Sequence, residues 1–161
     1  MVEITEFKNT AACFATGVCI CVAENLESEF IGATINSFVS LSLDPCLILF
    51  SLKKASRFHA ILLGKEHFTL NVLSHSQKDT ALHFAKYAST PIPDAKLLIK
   101  ASQSIPFVAD CCANLYCKLS HTYDGGDHTI VIGQVEHVVH TQLPPLVYHM
   151  RNFHSLEPSP L

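Results

Sequence analysis

ANLYCKLSHTYDGGDHTIVIGQVEHVVH, residues 113 to 140, is the stretch that decides the fold class. From Ala113 to Thr122, Leu115, Cys117 and Leu119 alternate with Asn114, Tyr116, Lys118 and Ser120. That period of two is the mark of a strand with one face buried. Asp124-Gly125-Gly126-Asp127 follows as a hairpin turn, because glycine takes up the positive φ angles of a tight turn without steric cost. His128 to His140 then reads as a long return strand, which Pro144-Pro145 terminates. Two long strands joined by four residues pair antiparallel, since a parallel pair needs a crossover of a dozen residues or more.

Working upstream, His67 to Leu73 turns Phe68, Leu70 and Val72 inward and reads as a strand. Val18 to Ala23 is apolar on both faces and reads as a buried strand. Polar residues Glu24 to Glu29 connect it to a second strand, Phe30 to Ile35. Asn36 to Asp44 is a polar, serine-rich stretch closed by Asp44-Pro45, and Cys46 to Leu52 is a short apolar core strand. Three short helices complete the pattern. Thr5 to Ala15 spaces Phe7, Ala11 and Phe14 at i, i+4 and i+7. Ser56 caps a two-turn helix carrying Phe58, Ile61 and Leu62, which ends at Gly64. Ser76 to Lys86 sets Ala81, Leu82, Phe84 and Ala85 on one side. Tyr87 to Pro106, with Pro91 and Pro93, has no period and reads as a long loop. About seven strands with close turns and few helices predict a mainly β protein, a closed antiparallel barrel in a single domain over residues 1–161.

Composition narrows the function. The 161 residues are 48% hydrophobic and 16% charged, which excludes a disordered chain. A net charge of −3, with Arg57 and Arg151 the only arginines, excludes a nucleic-acid binder or a protein drawn to anionic membranes. Glu3 and Glu6 stand where a secretory leader would carry basic residues. The longest apolar stretch, Ala11 to Ala23, falls short of the ~20 residues a membrane helix needs, so a soluble, cytoplasmic protein is expected. Seven cysteines, an odd number with no Cys-x-x-Cys, read as small buried hydrophobes and not as disulfides. Ten histidines invite a metal reading. His137 and His140 lie three apart on a strand, however, and so point to opposite faces; no metal site is expected.

Three segments carry chemistry. Gly32 to Pro45 runs a strand into Thr34, Asn36, Ser37, Ser40 and Ser42, a row of donors and acceptors suited to a planar polar heterocycle. A serine-rich loop bonding its own backbone is the competing reading. Ser51 to His59 places Ser56 and Arg57 at a helix start among Lys53 and Lys54. That is an anion site through the helix dipole and the guanidinium fork, or else a solvated cap among surface lysines. Asp124 to Gly133 delivers His128 at a strand start, as a catalytic group or as a hydrogen bonder at the turn edge.

Taken in order, Phe14-Ala15-Thr16-Gly17-Val18, Thr34-x-Asn36-Ser37-Phe38-x-Ser40-x-Ser42-Leu43-Asp44-Pro45, Asn71-Val72-Leu73, Phe84-Ala85 and Gly126-Asp127-His128-x-x-x-x-Gly133 resemble the flavin-reductase-like family. These are FMN-binding split-barrel proteins that include reductase components of two-component flavin monooxygenases. The resemblance spans Phe7 to Phe153. It implies a six-stranded Greek-key barrel, a homodimer, and hydride transfer from NADH or NADPH to FMN, with FAD as the other flavin and a monooxygenase as partner. It implies that Thr34, Ile35, Asn36 and Ser37 face the isoalloxazine and ribityl chain. Ser51 and Leu52 line the flavin, Ser56 and Arg57 hold its phosphate, Phe84 packs near it, and His128 stands by the nicotinamide as the catalytic residue. Tyr148 and Arg151 carry over from a C-terminal segment that varies in the family. The absence of Gly-x-Gly-x-x-Gly excludes a Rossmann site for the nicotinamide. An electron-transfer or flavin-carrier protein on the same fold, without efficient NAD(P)H oxidation, is the alternative.

Overall fold

The computed structural model describes residues 1–88, 90–92, 97–99 and 104–156. Its strands are β1 (Thr16–Gly17), β2 (Cys19–Glu24), β3 (Phe30–Ile35), β4 (Val39–Leu43), β5 (Cys46–Lys53), β6 (His67–Val72), β7 (Leu98–Ile99), β8 (Phe107–Val108), β9 (Ala113–Gly125), β10 (His128–His140), β11 (Leu146–His149) and β12 (Asn152–Ser155). Helices α1 (Ile4–Ala11), α2 (Arg57–Leu63) and α3 (Lys78–Lys86) are all short.

Seven strands form one antiparallel sheet in the order β3-β2-β6-β9-β10-β5-β4. This corrects the expected closed six-stranded barrel: β3 and β4 are the terminal strands of a longer, open ladder, and do not pair with each other. The physical reason lies just beyond β3. The chain leaves strand geometry at Asn36, and the Ser37 side chain bridges to β5, accepting from the Ser51 N–H at 2.9 Å and donating to its carbonyl at 3.3 Å. One hydroxyl does the work of a ladder, and the seam it spans stays partly open. The sheet therefore curls until its β3 edge meets β5.

Inside the curl lie Cys21, Ile31, Phe50, Phe58, Phe68, Leu70, Cys117 and Val131. The outer side of β2 and β6 is covered by α3, β8 and β11 around Ile20, Val22, Phe84, Phe107, Tyr116 and Leu146. Two covered faces explain why β2 is apolar without alternation. Phe68 sits under Gly133, where an added Cβ would come within 2.6 Å of its ring.

The β9–β10 hairpin has its expected boundary at His128, with Gly126 at φ +74 as the first of two turn residues. Two register shifts bend it, leaving Ser120 on β9 and Glu136 on β10 as extra residues. The polar, serine-rich stretch Asn36 to Asp44 contains β4, which pairs with β5 antiparallel. Its serines obscured a strand whose Val39 and Leu41 are exposed. The segment read as irregular, Tyr87 to Pro106, holds an isolated bridge between Ile31 and Pro91 and the short strand β7, paired to β8; residues 89, 93–96 and 100–103 of it lie outside the described residues. Helix α1 is shorter than expected and buries none of its side chains. The tail, read without elements, forms the β11–β12 hairpin and pairs with β1.

Candidate active site

The end of β3 is held by its own polar side chains. The Thr34 hydroxyl donates to the Ala81 carbonyl of α3 at 2.8 Å, tying helix to strand. Gly32 admits the Phe84 ring, whose nearest atom would stand 3.2 Å from an added Cβ. Ser37 is spent on the seam. Thr34 and Ser37 thus shape the wall, and their hydroxyls are already committed. The Asn36 side chain makes no hydrogen bond among the described residues and is free for a ligand.

Against this wall opens a cavity of about 270 Å³. Thr34, Ile35, Asn36 and Ser37 form one side, Ser51, Leu52, Lys53 and Ser56 the second, Phe84, Ala85 and Ala88 the third, and His128 stands at the rim. A second cavity of about 280 Å³ shares Thr34, Ile35, Asn36 and Ala85, and adds Val18, Leu82, Tyr148, Arg151 and Phe153. The two make one groove along the outer side of β3, with Lys53 at one end and Arg151 at the other. Arg151 donates to Asn9 of α1 at 2.7 Å and sits at φ +62 in the β11–β12 turn. A third cavity of about 360 Å³ meets the first at Asn36 and Ser37 and is walled by Phe14 to Gly17, Phe38 and Val39.

Nine expected site residues therefore surround the first cavity, and Tyr148 and Arg151 border the second. Arg57 borders neither: it is the exposed first residue of α2. Ser56 occupies the cap position without a side-chain cap bond, so its hydroxyl is available to a ligand. The cation that lines the cavity is Lys53, one of the lysines flanking that helix start. Strand alternation puts Lys53 on the same face as Ser51.

His128 lies directly opposite Lys53 in the β10–β5 ladder. Its Nδ1 meets the Asp127 carboxylate at 2.7 Å. That hydrogen bond and the attraction to the ring hold the Asp127 carboxyl below its ordinary value of 3.8. An ionised Asp127 takes the Nδ1–H, and Nε2 remains as the free ring nitrogen. Four thiols, those of Cys19, Cys21, Cys111 and Cys117, are buried. Burial pushes Cys19, Cys111 and Cys117 up to about 12, so they stay protonated and offer no nucleophile.

A family model described as "Flavin reductase like domain" matches residues 11–157. The chain belongs to the flavin reductase-like family. Relatives within it include the FMN reductase (NADH) SmoA of Agrobacterium fabrum, 34% identical over 142 residues, which are 88% of this chain and 80% of that one. The reductase component of 4-hydroxyphenylacetate 3-monooxygenase from Thermus thermophilus is 34% identical over 151 residues, 93% of this chain and 95% of that one. Among solved structures, the NADH:FAD oxidoreductase SgcE6 of Streptomyces globisporus superposes with a TM-score of 0.91 at 28% identity, covering 99% of this chain and 98% of that one. A flavin reductase-like member needs a site for a flat polar ring with a phosphate tail. The groove supplies a flat wall, a free amide at Asn36, and a cation with a free hydroxyl at one end.

Proposed function

We propose that this protein is an NADH-dependent flavin reductase of one domain that binds FMN, or FAD, in the groove along β3 and passes the reduced flavin to a monooxygenase partner. The observation that carries this reading is the convergence of Thr34 to Ser37, Lys53, Ser56 and His128 on one cavity where, among the described residues, no serine hydroxyl is hydrogen-bonded to His128 or Lys53 and no carboxylate lines the wall. The bound flavin supplies the hydride-accepting chemistry. The chain supplies placement and charge. Past its bridge to Pro91, the outer edge of β3 has no strand partner among the described residues, so backbone groups near Thr34 and Ile35 are left for the polar rim of the ring. Such fixed donors favour the charge that grows on the ring during reduction. Lys53, Ser56 and, from the first position of α2, Arg57 hold the phosphate. Phe84 with Ala85 closes the groove against water. Tyr148 and Arg151 bound its far end. His128, held by Asp127, packs the nicotinamide in place, and Nε2 is its free hydrogen-bonding atom.

The same reading calls for two copies. Cross-strand rows on the outer sheet face run Val39, Leu49, Ile132, then Ser51, Ile130, Tyr123, then Lys53 and His128. An apolar face, half-exposed or exposed, thus merges with the polar site, and a second chain laid on it buries the first two rows and walls the third. A cytoplasmic setting supplies NADH and keeps the thiols reduced.

The test is binding followed by reduction. FMN fluorescence is quenched on titration with the protein, and His128→Ala leaves that binding within about twofold while slowing reduction by NADH about tenfold or more. Wild-type reduction in that variant removes His128 from the site. Binding without reduction in the unaltered protein returns the reading to a flavin carrier.

A further inference from the structure

Lys53 is the last residue of β5 and Lys54 the first of the turn that follows, and their side chains go to different places. Lys53 enters the cavity. Lys54 turns away from it and reaches the tip of the β9–β10 hairpin. There its Nζ donates to the Asp124 carboxylate and, at 2.6 Å, to the Gly126 carbonyl. Its backbone N–H donates to the Asp127 carbonyl at 3.0 Å. The Lys54 hydrogen bond holds the Asp124 carboxyl below its ordinary value.

The position of these three bonds gives them their meaning. The β10–β5 ladder starts at His128 opposite Lys53. Beyond that pair the hairpin tip has no neighbouring strand, and it contains Gly125 and Gly126, the residues that hold a backbone least firmly. His128 is the first residue after this tip, and its ring is set by Asp127 within it. An isolated exposed ion pair contributes little. Here one residue makes three hydrogen bonds to a glycine-rich turn, to which β5 itself adds the charge of Lys53 near Asp127.

We propose that Lys54 is a positioning residue for hydride transfer: it clasps the β9–β10 turn so that the Asp127–His128 pair stands fixed over the flavin groove. This rests on the reductase reading above. It divides the lysine doublet between two tasks, flavin binding by Lys53 and placement of His128 by Lys54. Displacement of a substrate-positioning group by about 1 Å costs up to ~100-fold in rate, so loosening the turn registers in the reduction step.

The experiment compares Lys54→Met, Lys54→Arg, His128→Ala and the double variant Lys54→Met/His128→Ala. The readouts are FMN affinity, the single-turnover rate of flavin reduction at saturating NADH, and the ring signals of His128 in nitrogen-15 spectra. Lys54→Met is expected to keep FMN affinity within about twofold, slow reduction about tenfold and shift the His128 signals. Lys54→Arg, which keeps charge and reach, restores most of the rate. The double variant is no slower than His128→Ala alone, because Lys54 acts through that histidine. A wild-type rate in Lys54→Met overturns the proposal. So does a further loss in the double variant, which marks a structural role independent of His128. If the unaltered protein reduces no flavin, the reductase reading has failed, and unmoved His128 signals in Lys54→Met then overturn the clasp by themselves.

Discussion

Lys53 and Arg57 show how finely a site is decided at the level of single side chains. Both are cations near Ser56 in sequence, and the family resemblance gives the phosphate to Arg57. Only Lys53 lines the cavity. A charge-assisted bond to phosphate is worth about 1.5–3 kcal/mol, so Lys53→Met is expected to weaken FMN about tenfold or more. Riboflavin, which lacks the phosphate, should change within about twofold. Arg57→Ala should act in the same direction and less strongly. Fluorescence titrations with both flavins check this, and equal losses for FMN and riboflavin would take Lys53 off the phosphate. Asp124 and Asp127 give a second test at this scale. Both carboxyls are depressed, Asp124 by the hydrogen bond from Lys54 and Asp127 by the hydrogen bond from His128. A carboxyl depressed in the folded state contributes stability above its unfolded pKa and loses it as pH falls through the folded value. The anchoring of the turn is therefore complete at neutral pH and fades below about pH 4. Thermal melts of the wild type and the Asp124→Asn/Asp127→Asn variant should differ at pH 7 and converge in acid; a gap that widens in acid would contradict the assignment.

Among the elements, the β9–β10 hairpin was the most legible part of the chain and carries the sharpest stability prediction. Its alternation and its glycine turn are local properties, written in consecutive residues. The reason for Gly133 is not local: only the fold shows the Phe68 ring 2.6 Å from where a Cβ would stand. The ring is fully buried and cannot swing away. Gly133→Ala should cost about 1–3 kcal/mol, read as a lower urea midpoint with an unchanged slope. An unaltered midpoint would show that the ring yields. The elements that sequence missed failed for the same physical reason. β4 is an edge strand with serines on alternate positions, so tertiary pairing makes the strand and intrinsic preference does not. The β11–β12 hairpin turns through Met150 and Arg151, both at positive φ, residues that carry no turn signal. Along the site, Thr34 to Ser37 was legible as a polar strand end. That Thr34 and Ser37 spend their hydroxyls on α3 and β5 depends on contacts between distant residues, which a linear pattern does not contain.

At the scale of the whole molecule, curling an open sheet leaves one seam, and the seam is where the groove lies. The Ser37 bridge joins the end of β3 to β5, and the cavity opens beside it between α3, β3 and β5. The same curl turns the apolar rows of β4, β5 and β10 outward, beside Lys53 and His128. Two copies sharing that face are expected in sedimentation at micromolar concentration, and Val39→Glu, at a half-exposed edge position, should yield monomers that bind FMN more weakly. A wild-type monomer would remove the second copy from the site. The central claim, that this groove brings nicotinamide and flavin together, is tested most directly by anaerobic titration of the FMN-loaded protein with NADH. The account predicts that about one equivalent bleaches the yellow flavin absorbance and that air restores it. A protein that holds FMN and stays yellow in excess NADH would contradict it.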